Sequence, residues 1–183
     1  MFMKHVLVVL SAFFILNIEA YGKCQLKDVK VQWTGFKTAK KAGVSGIFKN
    51  VKLIGGLGGD GLDALKKLKF EIDTTALESG DAARDLKISK IFFGTMKDGS
   101  KITGSIQKVE KGYATARVTM NGVDKDVALE VKLDGNKVTG HGFIDILDFS
   151  AVSSLRSLNK ACFAKHEGKT WSDAEVTITA TCK

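Results

Sequence analysis

Apolar and polar residues alternate with period two along most of the chain. Val29, Val31 and Trp33 interleave with Lys30, Gln32 and Thr34, and Leu68, Phe70 and Ile72 with Lys69, Glu71 and Asp73. The pattern recurs through Ile102, Gly104 and Ile106, then Val118 and Met120, then Val127, Leu129, Val131 and Leu133. It continues at Val138, Gly140, Gly142, Ile144 and Ile146, and closes at Val176, Ile178 and Ala180. Each run predicts a strand with one apolar and one wet face. Lys111-Gly112, Asn121-Gly122 and Asp134-Gly135 mark tight turns between runs. With residues 44–53 as a further strand, the pattern predicts about eight antiparallel strands in meander order.

Two stretches depart from period two. Residues 81–91 (DAARDLKISKI) predict a short helix with Asp81 as its cap, and residues 148–160 predict a second. In the second, Phe149, Val152, Leu155 and Leu158 form an apolar stripe and Asp148 is the candidate cap. Residues 62–68 read as one or two helical turns. Eight short strands without proline favour a closed all-β barrel, which leaves no edge to aggregate, with one or two short helices near its mouth. A barrel of that size is either filled by side chains or holds one slim ligand. Gly104, Gly140 and Gly142 fall at inward positions, where they either leave room for a guest or relieve strand curvature.

The first 22 residues stand apart. Lys4 precedes a 13-residue apolar run at 6–18, and small residues follow at Ala20 and Gly22. This is the layout of a cleaved export signal ending between 20 and 22, too short for the ~18–20 apolar residues of a membrane span. Lys23 before Cys24 argues against lipid attachment. The expectation is bacterial export, periplasmic or fully secreted, with one domain over residues 23–183 that does not span a membrane. Cys24, Cys162 and Cys182 are then candidates for one disulfide and one leftover thiol, and spacing leaves the pairing open.

The formal net charge is +8, with 28 basic and 20 acidic residues. The lysines are scattered, and the densest group is Lys37, Lys40 and Lys41. Nucleic acid is not an expected partner. Gly56, Gly58 and Gly61 spell G-x-G-x-x-G, but no parallel strand and full helix flank them as a dinucleotide site requires. His141 and His166 lack the converging partners of a metal centre, and no nucleophile–base spacing is present. Asp145 and Asp148 read as a wet strand residue and a helix cap rather than a catalytic pair. Neither cofactor, metal nor catalysis is expected.

Two stretches resemble the YceI-like family of exported, lipocalin-like proteins. One is VQWTGFKTAKKAGVSGIFKNV, residues 31–51; the other runs from LKFEIDTTALESGDAARD into KISKIFFGTM, residues 68–96. VTMNGVDKDVALEVKL, residues 118–133, is similar to that family's Asn-Gly hairpin. The resemblance implies an eight-stranded antiparallel barrel with a helix near the mouth. It also implies a long apolar ligand, a polyisoprenoid or another long-chain lipid. The expectation for this chain is a carrier without chemistry, a monomer or homodimer. The expected lumen residues are Val31, Trp33, Phe48, Phe70, Ile72, Phe92, Phe93, Ile102, Ile106, Val118, Met120, Leu129, Val131, Ile144, Ile146, Phe149 and Ile178. Lys37, Lys41 and Arg84 are the polar candidates at the mouth; Arg84-Asp85 resembles the family's Arg-Asp pair, whose plain role is an ion pair that pins the helix. The alternative is a filled, ligand-free scaffold whose basic surface binds an acidic envelope polymer or protein partner.

Overall fold

The computed structural model describes residues 24–55 and 61–183. The expected signal at 1–22 and two glycines of the G-x-G-x-x-G stretch, Gly56 and Gly58, lie outside these residues. Ten strands form one antiparallel sheet: β1 (Leu26–Lys37), β2 (Ala42–Phe48), β3 (Val51–Ile54), β4 (Lys69–Asp73), β5 (Leu77–Glu78), β6 (Lys101–Glu110), β7 (Tyr113–Met120), β8 (Val123–Asp134), β9 (Lys137–Asp145) and β10 (Thr170–Cys182). Their hydrogen-bonded order is β3-β4-β6-β7-β8-β9-β10-β1-β2-β5.

The predicted count of eight survives in the staves of the barrel. The predicted strand at 44–53 is broken at Lys49 and Asn50 into β2 and β3. Its first half pairs with β1, Gln32 opposite Ile47, and its second half with β4, Leu53 opposite Phe70. The two ends of the sheet are therefore one piece of chain, and that bent stave joins them. Two-residue β5 is an addition that pairs only with β2.

Hairpin chemistry sets the meander. Lys111 and Gly112 have φ of 49° and 83°, and Asn121 and Gly122 of 53° and 70°. Consecutive positive φ angles give the primed turns whose twist matches the flanking strands. The third turn falls one residue later than predicted, at Gly135 and Asn136, because Asp134 still pairs with Lys137. The wet wall carries cross-strand polar pairs, such as the two-pronged bond of Arg117 Nε and Nη2 to Asp126 at 2.8 Å each.

Strand direction gives the barrel two unlike ends. At the base, β1 begins and β10 ends, and Cys24 and Cys182 form a disulfide, so the unpaired cysteine is Cys162. A 3-10 turn at Gly61–Leu65 buries Ala64 and Leu65 there. At the other end lie both long connections. The first holds α1 (Ala82–Lys87), continued by one wide turn at Ile88–Phe92 and a tight one at Phe93–Thr95. Asp81 caps α1 as predicted, its carboxylate accepting the Arg84 N–H at 3.0 Å. The second holds a 3-10 turn at Ile146–Phe149, α2 (Val152–Ala161) and α3 (Phe163–His166).

The predicted helix at 148–160 is corrected at its start. Asp145, not Asp148, is the capping residue, accepting the Leu147 N–H at 2.9 Å. The turn it caps ends at Ser150, whose φ of 54° redirects the chain into α2. Helix α2 begins at Val152 without a side-chain cap. Thr95 Oγ1 and Ser154 Oγ, 2.8 Å apart, tie the two connections together over the barrel.

Candidate functional site

The inward faces of the strands enclose a cavity of about 450 Å³, open at the helical end. That volume lies in the usual ~300–1,000 Å³ range of ligand pockets. Val31, Trp33, Phe48, Phe70, Ile72, Phe92, Phe93, Ile102, Ile106, Val118, Met120, Leu129, Val131, Ile144, Ile146 and Ile178 all line it. Phe149 is the correction. It is 1% exposed but does not line the cavity. The Ile146–Phe149 turn takes it off the strand face that Ile144 continues, and Asn121 Nδ2 holds its carbonyl at 2.9 Å.

The inward glycines divide by what covers them. A Cβ at Gly104 would meet the Phe70 ring and the Arg117 carbonyl. At Gly142 it would lie 2.7 Å from Leu129 Cδ2, and at Gly46 2.8 Å from Trp33 Cε2. These glycines seat a large neighbour rather than open the lumen. Gly140 alone of the three expected inward glycines lines the cavity; a Cβ there would make ordinary contacts of 3.6–3.8 Å with Ile178 and Val131. Trp33 Nε1 is buried without a hydrogen-bond partner among the described residues. Such an unmet donor costs about 1–3 kcal/mol.

Two aromatic contacts shape the upper lumen. Phe92 and Phe93 meet edge to face at 4.9 Å between ring centres, and Phe93 meets Phe48 at 6.0 Å. Above them the lining turns polar. Asp81, Arg84 and Lys87 come from α1 and its cap, Cys162, Lys165 and His166 from the end of α2 and α3, and Lys37, Thr170 and Asp173 from the strand ends.

The polar candidates part company at this mouth. Lys37 and Arg84 line it, and Lys41 does not. Lys41 sits in the β1–β2 turn with φ of 55°, its Nζ 2.7 Å from Asp173 and 5.1 Å from the centres of the Phe36 and Trp171 rings. It staples the turn to β10, helped by Trp171 Nε1, which donates to the Thr38 carbonyl at 2.8 Å. Arg84 and Asp85 do not pair with each other; both grasp Ser79. Arg84 donates to Ser79 Oγ at 2.7 Å and to its carbonyl at 2.6 Å, while Asp85 accepts from the Ser79 N–H at 3.0 Å and from its hydroxyl.

Sequence reasoning missed Lys87, Cys162, Lys165 and His166. A signal was present: Leu155, Leu158, Cys162 and Lys165 recur at helical spacing and continue the α2 stripe past its apolar part. His166 is held by a short relay. Asn159 Nδ2 donates to the Gly168 carbonyl at 3.1 Å, which turns Asn159 Oδ1 toward the Thr170 hydroxyl at 2.8 Å. Having donated that proton, Thr170 Oγ1 accepts from His166 Nδ1 at 2.7 Å. The proton therefore sits on Nδ1 and leaves Nε2 free. Burial, with Lys37 and Lys87 nearby, keeps the imidazole below its usual pKa. Asp81 is held below the usual carboxylate range by the Arg84 N–H, with Lys165 and Arg84 adding their charges.

His141 lies on the outer wall, where its Nε2 meets Glu175 at 2.7 Å. Among the described residues no three metal-ligating side chains converge. No described helix is long and apolar enough to cross a membrane.

The family model for the YceI-like domain matches residues 23–182. A polyisoprenoid-binding domain from Saccharophagus degradans, implicated in plant cell wall breakdown, superposes with a TM-score of 0.62 at 13% identity, covering 89% of this chain and 99% of that one. Burkholderia cenocepacia BcnA gives 0.60 at 16% identity, covering 85% and 96%. The Campylobacter jejuni YCEI protein gives 0.52 at 19% identity, covering 78% and 86%. At such identities the likeness carries the fold. No curated protein matches the chain.

Proposed function

The chain belongs to the YceI-like family, and we propose that it is an exported carrier or sequestering protein for a long-chain apolar molecule. A polyisoprenoid or a similar lipid would lie in the lumen, with no chemical step. The observation that carries the reading is the cavity itself: an apolar tube walled by inward strand residues, with its polar groups at one end. Burying an alkyl or prenyl chain there gains roughly 25 cal/mol per Å² of apolar surface removed from water. The Saccharophagus degradans relative, a polyisoprenoid-binding domain, supports the ligand class. The Cys24–Cys182 disulfide supports an oxidising compartment, periplasmic or extracellular.

Protein purified without added lipid, extracted with organic solvent and analysed by mass spectrometry, is expected to yield a long-chain lipid. An extract without lipid, together with no saturable uptake of prenyl or fatty-acyl probes, defeats the reading. Val118→Trp is expected to lower uptake while the barrel stays folded, since Val118 is half-buried and faces the cavity.

A further inference from the structure

The proposed ligand carries more than an apolar tail. We propose that the mouth selects amphiphiles with an anionic head, a carboxylate or a phosphate, seated among Lys37, Lys87 and Lys165. This rests on the apolar-carrier reading and adds a preference among its ligands.

The lining is polar only at the helical end, so a bound amphiphile has one place for its head. Four cationic side chains line that end, Lys37, Arg84, Lys87 and Lys165, against two carboxylates, Asp81 and Asp173. Both carboxylates are engaged. Asp81 accepts the Arg84 N–H as the cap of α1, and Asp173 pairs with Lys41 at 2.7 Å. Arg84 is spent on Ser79. Among the described residues Lys37, Lys87 and Lys165 have no carboxylate within ion-pair reach, and Lys87 Nζ rests on the Ala161 carbonyl at 3.3 Å. Three ammonium groups thus stand around an apolar shaft without an ion-pair partner, and of the three only Lys165 lies close enough to Asp81 for its charge to be felt there. A charge-assisted bond to an anionic head is about twice as strong as a neutral one.

His166 adds a reporter. With Nδ1 tied to Thr170, Nε2 is the free nitrogen of a side chain lining the same rim. Burial first, and then the charges of Lys37 and Lys87, hold this imidazole down; an anion seated beside the two lysines offsets the second of these causes, so its titration moves upward relative to the form holding an uncharged head.

The test compares heads on fixed tails: hexadecanoate against hexadecanol, and geranylgeranyl phosphate against geranylgeraniol, by displacement of a fluorescent lipid at low salt and pH 7. The anion is expected to bind about tenfold or more tightly than its alcohol. That margin is expected to shrink as salt rises and to vanish in the K37Q/K87Q/K165Q variant. Whether hexadecanoate or geranylgeranyl phosphate has the larger margin separates carboxylate from phosphate. In the unsubstituted protein, an upward shift of the His166 titration by NMR on adding the anion, and none on adding the alcohol, supports the seat. Equal binding of anion and alcohol, or a margin that survives the triple substitution, overturns the head-group preference and leaves the carrier reading standing. Failure of all four probes to bind overturns both.

Discussion

The Phe70 ring lies across Gly104 on the neighbouring strand, its Cε1 2.9 Å from the point a Cβ would occupy. Gly104→Ala must push that ring aside and also meets the Arg117 carbonyl, which cannot yield cheaply. The expected cost is about 1–3 kcal/mol, that of an overpacked core. Gly140→Ala has ordinary contacts and is expected to cost less than about 1 kcal/mol while narrowing the shaft. Chemical denaturation of the two variants, beside lipid uptake, checks the contrast: the first loses stability, the second loses capacity.

The disulfide closes a loop of 158 residues at the base, where Gln25 and Lys183 also exchange backbone bonds at 2.9 and 3.0 Å. For a loop of that length the chain-entropy account gives a loss of about 5 kcal/mol on replacing both cysteines. Cys24→Ser/Cys182→Ser protein is expected to melt well below the oxidised form, and reductant is expected to lower the melting temperature of the unsubstituted protein toward that of the variant.

Cys162 lines the mouth as a free thiol of intermediate exposure. An occupied lumen should therefore screen it. Alkylation by iodoacetamide, followed by mass spectrometry, is expected to slow on lipid loading and to recover after extraction. A rate indifferent to lipid would place the ligand elsewhere.

His166 gives the fold a pH dependence near neutrality. Its folded pKa lies below the ordinary 6.5, so both states are neutral above that value. As pH falls through about 6.5, the unfolded chain takes up a proton before the barrel does, and stability drops until the folded pKa is passed. His166→Gln is expected to flatten this step in denaturation curves taken between about pH 5 and 7.5. A second loss belongs to carboxylates held below their usual range, among them Asp73 by the Thr75 hydroxyl and Asp126 by Arg117, and appears only as pH falls below about 4.

The barrel wall was legible because period two reports which side of a strand is apolar, and a closed sheet gives all those sides one destination. The strand residues of the lumen, from Val31 to Ile178, follow from that; Phe92 and Phe93 do not, because they come from the turns that continue α1. Phe149 escaped it because a capped turn, not the strand, sets its direction, and the choice between Asp145 and Asp148 as cap depends on where that turn begins. Lys41 lies close to Lys37 in sequence, yet a left-handed turn residue sends its side chain to Asp173. Gly104 and Gly142 have the spacing of open positions, but whether a glycine leaves space depends on the neighbour across the ladder, which spacing does not name. The cysteine pairing stayed open for a related reason: Cys24 and Cys182 meet only once β1 and β10 are known to be adjacent staves.

The disulfide at the base has a practical consequence. Lys183 follows β10 at the floor of the barrel, so a tether added after it hangs from the side away from the opening. Immobilised on a bead by that point, the protein would still present its entrance outward, free to take up or release cargo.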